Sequence, residues 1–209
     1  LSKSNIVTIQ QDVLLDFIQS RRSIRRYTSD PIPREWLQQI LDGAIWAPSA
    51  HNRQPWRFVV IETSDTKERL ATAMGARLRQ DLTADHVPQD IIDKDVARSY
   101  DRITSAPAII VVCMSMVDMD VYSDERRNEN ERIMAIQSTA MAGQNILLMA
   151  KSFGLGACWM CAPLFVPDVV QQTLGLPEDW VAQGMITIGF PDQTREKTRK
   201  PLESSVLWQ

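Results

Sequence analysis

Seven consecutive residues, Ala108-Ile109-Ile110-Val111-Val112-Cys113-Met114, carry no charged or hydrophilic side chain. The run is far short of the roughly 20 apolar residues that a membrane-spanning helix needs. It is rich in β-branched residues and lacks the alternation of a half-exposed strand, so it reads as a central strand. No other stretch approaches a membrane span, and none is low in complexity or repeated. With 209 residues, 44% hydrophobic and 23% charged, the chain is expected to form one domain over 1–209 with a sizeable core.

Around that strand the periodicity alternates. Gln11–Ser20 places Val13, Leu14, Phe17 and Ile18 on one helical face. Asp30-Pro31-Ile32-Pro33 is a turn, and a helix starts near Pro33 or Arg34, with Trp36, Leu37, Ile40, Leu41, Ala44 and Ile45 as its apolar stripe. Phe58–Ile61 reads as a short strand, and Thr66–Gln80 and Gln89–Ile103 read as helices. Asp81–Pro88 has no period and is expected to be a loop or lid. Asp118–Arg127 is expected to be irregular. Asn128–Phe153 is the longest helical pattern, and its middle (Ser138, Thr139, Ala140, Ala142, Gly143) is small enough for close helix–helix approach, as at a dimer axis. Gly154 suits a helix C-cap. Ala157–Met160 and Val181–Ile188 read as strands, with Pro167–Leu174 as a helix between them. Helices and strands follow one another without a βαβ rhythm, which predicts an α+β fold. Val206, Leu207 and Trp208 in the tail are expected to dock on this subunit or on a partner.

The net charge of −3 supplies no global field for nucleic acid or anionic membrane, and neither is expected as a partner. Leu1-Ser2-Lys3-Ser4-Asn5 has no apolar stretch of a secretory signal, and Cys113, Cys158 and Cys161 are too few for a disulfide framework; both fit the cytoplasm. Cys158-Trp159-Met160-Cys161 matches C-x-x-C, but it reads as a strand rather than a helix N-terminus, which disfavours a thioredoxin-type dithiol. His51 and His86 have no ligand spacing, so no metal site is expected. Two half-buried thiols beside a cofactor are the preferred reading.

Two local features carry chemistry. Arg21, Arg22, Ser23, Arg25 and Arg26 place four guanidinium groups and a hydroxyl within six residues. Guanidinium forks match phosphate oxygens, while a solvated helix end is the structural alternative. The Pro-bounded loop Pro48–Trp56 presents Ser49, His51, Asn52, Arg53 and Gln54 ahead of a strand; a capping loop is its structural alternative. No G-x-G-x-x-G and no Ser-His-Asp pattern accompanies them.

Arg21-Arg22-Ser23-Ile24-Arg25 and Ala47–Phe58 resemble the two N-terminal signatures of the FMN-dependent nitroreductase superfamily. Gln144–Leu148, Gly154–Trp159, Ile188–Pro191 and Lys197–Pro201 are similar to later blocks of that family, in order. The resemblance spans about residues 12 to 203 and implies a central mixed or antiparallel sheet flanked by helices, in an intertwined homodimer with FMN at the interface. It implies that Arg21, Arg22, Ser23 and Arg25 hold the FMN phosphate, ribityl chain and pyrimidine edge, joined by Lys197 and Arg199. Pro48, Ser49, Ala50 and Asn52 come from the other subunit, and Trp159, Met160 and Cys161 line the isoalloxazine. His51 and Asp81 are implied only as substrate contacts. The flavin carries the hydride, and no protein acid or base is required.

The implied activity is transfer of hydride from NADH or NADPH through FMN to an electron-poor small-molecule acceptor, such as a nitroaromatic or quinone, by a ping-pong mechanism. Asp81–Asp85, Asp95–Arg98 and Gly154–Trp159 followed by Pro163-Leu164-Phe165 look like the reductase domain fused to the deazaflavin-coenzyme glutamate ligase. That resemblance implies reduction of a dehydro deazaflavin precursor as an alternative. A flavin-binding protein without turnover is the non-enzymatic alternative.

Overall fold

The computed structural model describes residues 8–209, so the expectation drawn from Leu1–Asn5 lies outside the described residues. The elements run α1 (Gln11–Ser20), α2 (Arg34–Ala44), β1 (Trp56–Ile61), α3 (Ser64–Ala84), α4 (Gln89–Thr104), β2 (Ala108–Met114), α5 (Glu125–Ser152), β3 (Gly156–Met160), α6 (Ala162–Phe165), α7 (Pro167–Leu174) and β4 (Val181–Gly189). Short 3-10 turns occupy Ala50–Asn52 and Leu202–Ser204.

The apolar run is β2, buried at every position, inside a four-stranded sheet of order β1-β2-β4-β3. All three pairings are antiparallel, which resolves the mixed-or-antiparallel expectation. Alternation sends Ala108, Ile110 and Val112 into one core with Leu37, Ile40, Ile146 and Ala150 of α2 and α5. Ile109, Val111 and Cys113 enter a second core with Leu70, Met74 and Val170 of α3 and α7. Both sides of β2 are therefore dry, and burying each large aliphatic side chain contributes about 1.5–3 kcal/mol. The same burial pushes the Cys113 thiol up to about 12, so it stays protonated across physiological pH. A bulge between Val112 and Cys113 leaves Gln183 as the extra residue on β4, where its amide donates to the Val181 carbonyl at 3.1 Å.

Several boundaries differ from the sequence reading: α3 begins at Ser64 rather than Thr66, and α6 was not expected. Asp81–Ala84 is the last turn of α3, not part of a loop; only Asp85–Pro88 turns, with His86 at φ 57°. Tertiary contact overrides the weak local signal there, since Arg79 on α3 pairs with Asp93 on α4 at 2.6 Å. α5 begins at Glu125 inside the segment expected to be irregular, because the Asp124 side chain accepts the Arg127 N–H at 3.0 Å and caps the helix. β1 starts at Trp56, two residues ahead of the expected Phe58, because Trp56 and Arg57 still pair with Met114 and Cys113.

α5 is the one helix among the described residues long and apolar enough to cross a membrane by length and composition, which the sequence reading did not anticipate. Its apolar residues have another explanation: Ala142, Ile146, Leu147 and Ala150 pack against the sheet. Its C-terminus closes at Gly154, whose φ of 74° only glycine adopts without strain.

The Trp159 indole threads between α5 and β4 because two glycines make room. A Cβ on Gly143 would lie 2.4 Å from the ring, and one on Gly184 would lie 2.5 Å from it. Gly184→Ala should therefore cost about 1–3 kcal/mol by overpacking. Urea unfolding midpoints measure it, and an unchanged midpoint would show that the indole repacks freely.

Candidate functional site

After α1 the chain does not continue as helix. Residues 23–28 run extended along the end of the sheet. The Ile24 N–H donates to the Ala157 carbonyl at 3.1 Å, the Thr28 N–H to Phe190 at 2.9 Å, and the Asp192 N–H to Arg26 at 3.0 Å. Ser23 bridges to Ala157 in parallel and Tyr27 to Pro191 in antiparallel. Ile24 is buried over Gly156, where any Cβ would lie 2.7 Å from its side chain. The Tyr27 hydroxyl reaches the Ile24 and Thr187 carbonyls at 2.6 and 2.9 Å, and burial raises its pKa well above the usual phenol range. Buried Ile24 and half-buried Tyr27 anchor the segment, and the arginines project from what remains.

The four expected cations then divide. Arg22 donates from Nε to the Arg195 carbonyl at 3.0 Å and from Nη1 to the Arg21 carbonyl at 2.9 Å. It also donates to the Gln19 carbonyl, so it ties the end of α1 to the tail. Arg21 is different: its Nη1 is buried without a hydrogen-bond partner among the described residues. Burial lowers its pKa, and the like charges of Arg199 and Arg22 lower it further. Ser23 is half-buried on the bridge to Ala157, and Arg25 faces two adjoining hollows. One, of about 600 Å³, is lined by Arg25, Arg26, Lys94, Arg98, Arg102 and Arg195, together with Asp101. The other, of about 390 Å³, adds Trp159, Met160 and Cys161. A smaller hollow of about 230 Å³ lies against Arg21 and Arg22.

Desolvation lowers the pKa of Arg102 as well, and Arg25 and Arg98 add to it. Arg98 pairs with Asp95 at 2.6 Å and Lys94 with Asp90 at 3.3 Å, while Arg25, Arg102 and Arg195 have no ion pair among the described residues. These guanidinium groups repel one another, and an anion with several oxygens would relieve them. The residues therefore fit a bound phosphate ester.

Sequence reasoning missed Arg98, Arg102, Arg195 and Lys94. Arg98 and Arg102 are four apart on α4, so they share one helical face, and that spacing was a readable signal. The face's target was not readable. In the tail, Arg199 lies close enough to perturb Arg21, while Lys197 is exposed.

Trp159 packs toward the α2–α5 core and Met160 toward the α3–α7 core, as neighbours on a strand must. The two thiols are not alike: Cys158 is buried and Cys161 is exposed. This corrects the expectation of two half-buried thiols, since strand alternation turns Cys158 inward while Cys161 falls beyond the strand end. Asp81, expected on a lid, sits instead on the final turn of α3. It lines a largely apolar hollow with Met74, Leu78, Ala162 and Phe165, which adjoins the Cys161 hollow through Leu78, Ser99 and Ala162.

The second sequence feature lies elsewhere. Pro48, Ser49, Ala50, His51 and Asn52 form the 3-10 turn and its approach, seated on the N-terminal half of α5 by the Ala50 N–H donating to Ser138 Oγ at 3.3 Å. The Arg21 hollow meets α5 at Leu147 and Lys151. Nine to thirteen residues of helix separate the two, about 14 to 20 Å along its axis. The structure therefore does not bring the Pro48–Asn52 loop to the Arg21 hollow within one chain. It does bring His51 near Asp120 and Glu131, a grouping that spacing along the chain concealed.

Residues 18–190 match the model of the Nitroreductase family. The chain is 29% identical to an NADH dehydrogenase of Thermus thermophilus over 90% of this chain and 92% of that one. It is 26% identical, over 92% of each, to YfhC of Bacillus subtilis, whose name describes an NAD(P)H nitroreductase. Among solved structures, an FMN complex of a nitroreductase-type protein from Desulfovibrio desulfuricans superposes with a TM-score of 0.74 at 28% identity, covering 97% of this chain and 98% of that one. With its family match running from the end of α1 to Phe190 at the end of the sheet, this chain belongs to the nitroreductase family.

Proposed function

We propose that this chain is an FMN-dependent NAD(P)H oxidoreductase acting on an electron-poor small molecule, and that its working form is a homodimer. The observation that carries the proposal is the buried, unpartnered Arg21 Nη1 beside a cleft rich in guanidinium groups. The FMN named in the Desulfovibrio complex and the NAD(P)H chemistry named for the relatives support the choice of ligand. When bound, FMN would supply the hydride-transfer chemistry between NADH or NADPH and the acceptor.

The protein's own part is binding and positioning. Arg21, with Arg199, holds the phosphate, while Arg22 braces the backbone that presents it and Ser23 fixes that backbone to β3. Lys197 follows the same tail. Arg25 lies at the junction of the two larger hollows, where a cation favours negative charge on the ring. Trp159, Met160 and Cys161 form the wall of the adjoining hollow. A reductant or acceptor stacked there gains most of its rate from orientation.

Two features support the dimer. α1 buries no residue within the chain, leaving Val13, Leu14, Leu15 and Ile18 exposed. A ten-residue helix of this kind is marginal in water without a packing partner. In the tail, Leu207 and Trp208 remain 80% and 85% exposed, so the expected docking does not occur within one chain. A partner that covers these groups would also bring its Pro48, Ser49, Ala50 and Asn52 to the Arg21 hollow from which this chain's own loop is distant.

One observation favours a narrower reading. Asp81 faces an apolar hollow joined to the Cys161 hollow, a place suited to a large, partly aromatic acceptor such as a dehydro deazaflavin precursor, with one polar group oriented by the carboxylate.

Purified protein should show flavin absorbance or take up one FMN per chain, bleach anaerobically with NADH or NADPH, and reoxidise with a quinone or nitroarene. A colourless protein that takes up no FMN would overturn the proposal, and flavin that binds but never turns over would leave a binding protein. Arg21→Ala should raise the FMN dissociation constant roughly ten- to a hundredfold, the equivalent of about 1.5–3 kcal/mol for a lost charged hydrogen bond. An unchanged constant would remove Arg21 from the site. Deleting Val206–Gln209 should weaken dimerisation measured by sedimentation; an unaltered association constant would place the tail elsewhere.

A further inference from the structure

The 3-10 turn at Ala50–Asn52 is held in an unusual shape. His51, Asn52 and Gln54 all have φ near +50°, the left-handed region, at 50°, 54° and 52°. Their partners are local or on α5: Gln54 N–H to Ser49 Oγ at 3.0 Å, Arg53 N–H to Ala50 at 2.9 Å, Ala50 N–H to Ser138 Oγ at 3.3 Å. Below the turn, Glu131 on α5 is only 3% exposed, and its Oε2 is buried without a hydrogen-bond partner among the described residues. A buried carboxylate oxygen left unpaired is costly, and such groups are normally satisfied by a donor or a cation.

The groups that face Glu131 suggest which. One ligand atom each of His51, Asp120 and Glu131 lies within 4.8 Å of the other two. The three come from separate parts of the chain: the turn, the β2–α5 connection and α5 itself. Arg53 pairs with Oδ1 of Asp120, and no protein hydrogen bond engages its Oδ2.

We infer that His51, Asp120 and Glu131 form a site for a divalent first-row cation, with zinc the best match, which fastens the Pro48–Gln54 loop to α5. An imidazole nitrogen with two carboxylate oxygens is a donor set that zinc accepts, at about 2.0–2.2 Å from each. Tetrahedral coordination at those lengths brings the donor atoms to about 3.3 Å from one another, a modest contraction of the present cluster. The cation satisfies Glu131 Oε2, the two carboxylates balance its charge, and water completes the shell. The exposed His51 closes the site from the solvent side. This inference concerns residues within one chain and is independent of the flavin proposal.

The test is a zinc titration of the chelator-stripped full-length protein against a chromophoric competitor, repeated with cobalt to read the ligand type. The expected result is one equivalent per chain, a raised melting temperature, and a cobalt spectrum without thiolate charge transfer. Glu131→Gln should weaken zinc at least tenfold. Asp120→Asn, at a more exposed position, should do the same and covers the case in which Glu131→Gln fails to fold. Absence of a zinc equivalent, unchanged affinity in the folded variants, or a thiolate band from Cys158 or Cys161 would each overturn the site. None of these readouts depends on FMN or on turnover.

Discussion

The docking of residues 23–28 along the end of the sheet is the interaction on which the site depends. Two side chains hold it. Ile24 fills the space above Gly156, and the Tyr27 hydroxyl reaches across to Thr187 on β4. Around them, backbone hydrogen bonds join the segment to Ala157, Phe190 and Asp192. The cationic residues need this support because they repel one another, and an unanchored strand bearing them would move apart into solvent. Anchoring by apolar and neutral groups leaves Arg21 and Arg25 facing the hollows, while Arg22 is engaged by backbone carbonyls.

The sheet in turn depends on two layers of helices. β2 is apolar on both sides because α2 with α5 covers one face and α3 with α7 covers the other. Their connections decide where the hollows fall. α4 follows α3 closely and returns Arg98 and Arg102 to the side where Arg25 emerges. β3 ends at Met160, and the short α6 carries Ala162 and Phe165 beneath Asp81. The cleft is thus a seam between an edge strand, a helical hairpin and the tail. None of these pieces forms a pocket alone.

Much of this was legible in the chain. β2 and α7 fall where pattern and caps put them, and the Arg21–Arg25 and Pro48–Trp56 segments stood out by composition. What was not legible has identifiable causes. The first turn of α5 is polar because it is solvated, so no apolar period marked it. The end of α3 carries ordinary polar residues, and only its ion pair to α4 shows that the helix continues. The distinct work of Arg21 and Arg22 was invisible, since neighbouring arginines look alike until their partners are known.

By itself the sequence determined the α+β class, the central strand and the cationic segment, because these rest on local period and composition, and the family resemblance, because its motifs stand in order along the chain. Only the tertiary structure decided that Arg22 is braced while Arg21 is left unpaired, and that α4 and the tail add Arg98, Arg102 and Arg195. It alone brought His51, Asp120 and Glu131 together. It also separated the Pro48–Asn52 loop from its own chain's Arg21 hollow. The physical reason is the same in each case: hydrogen-bond satisfaction and charge repulsion depend on distances in space, and residues remote along the chain set those distances.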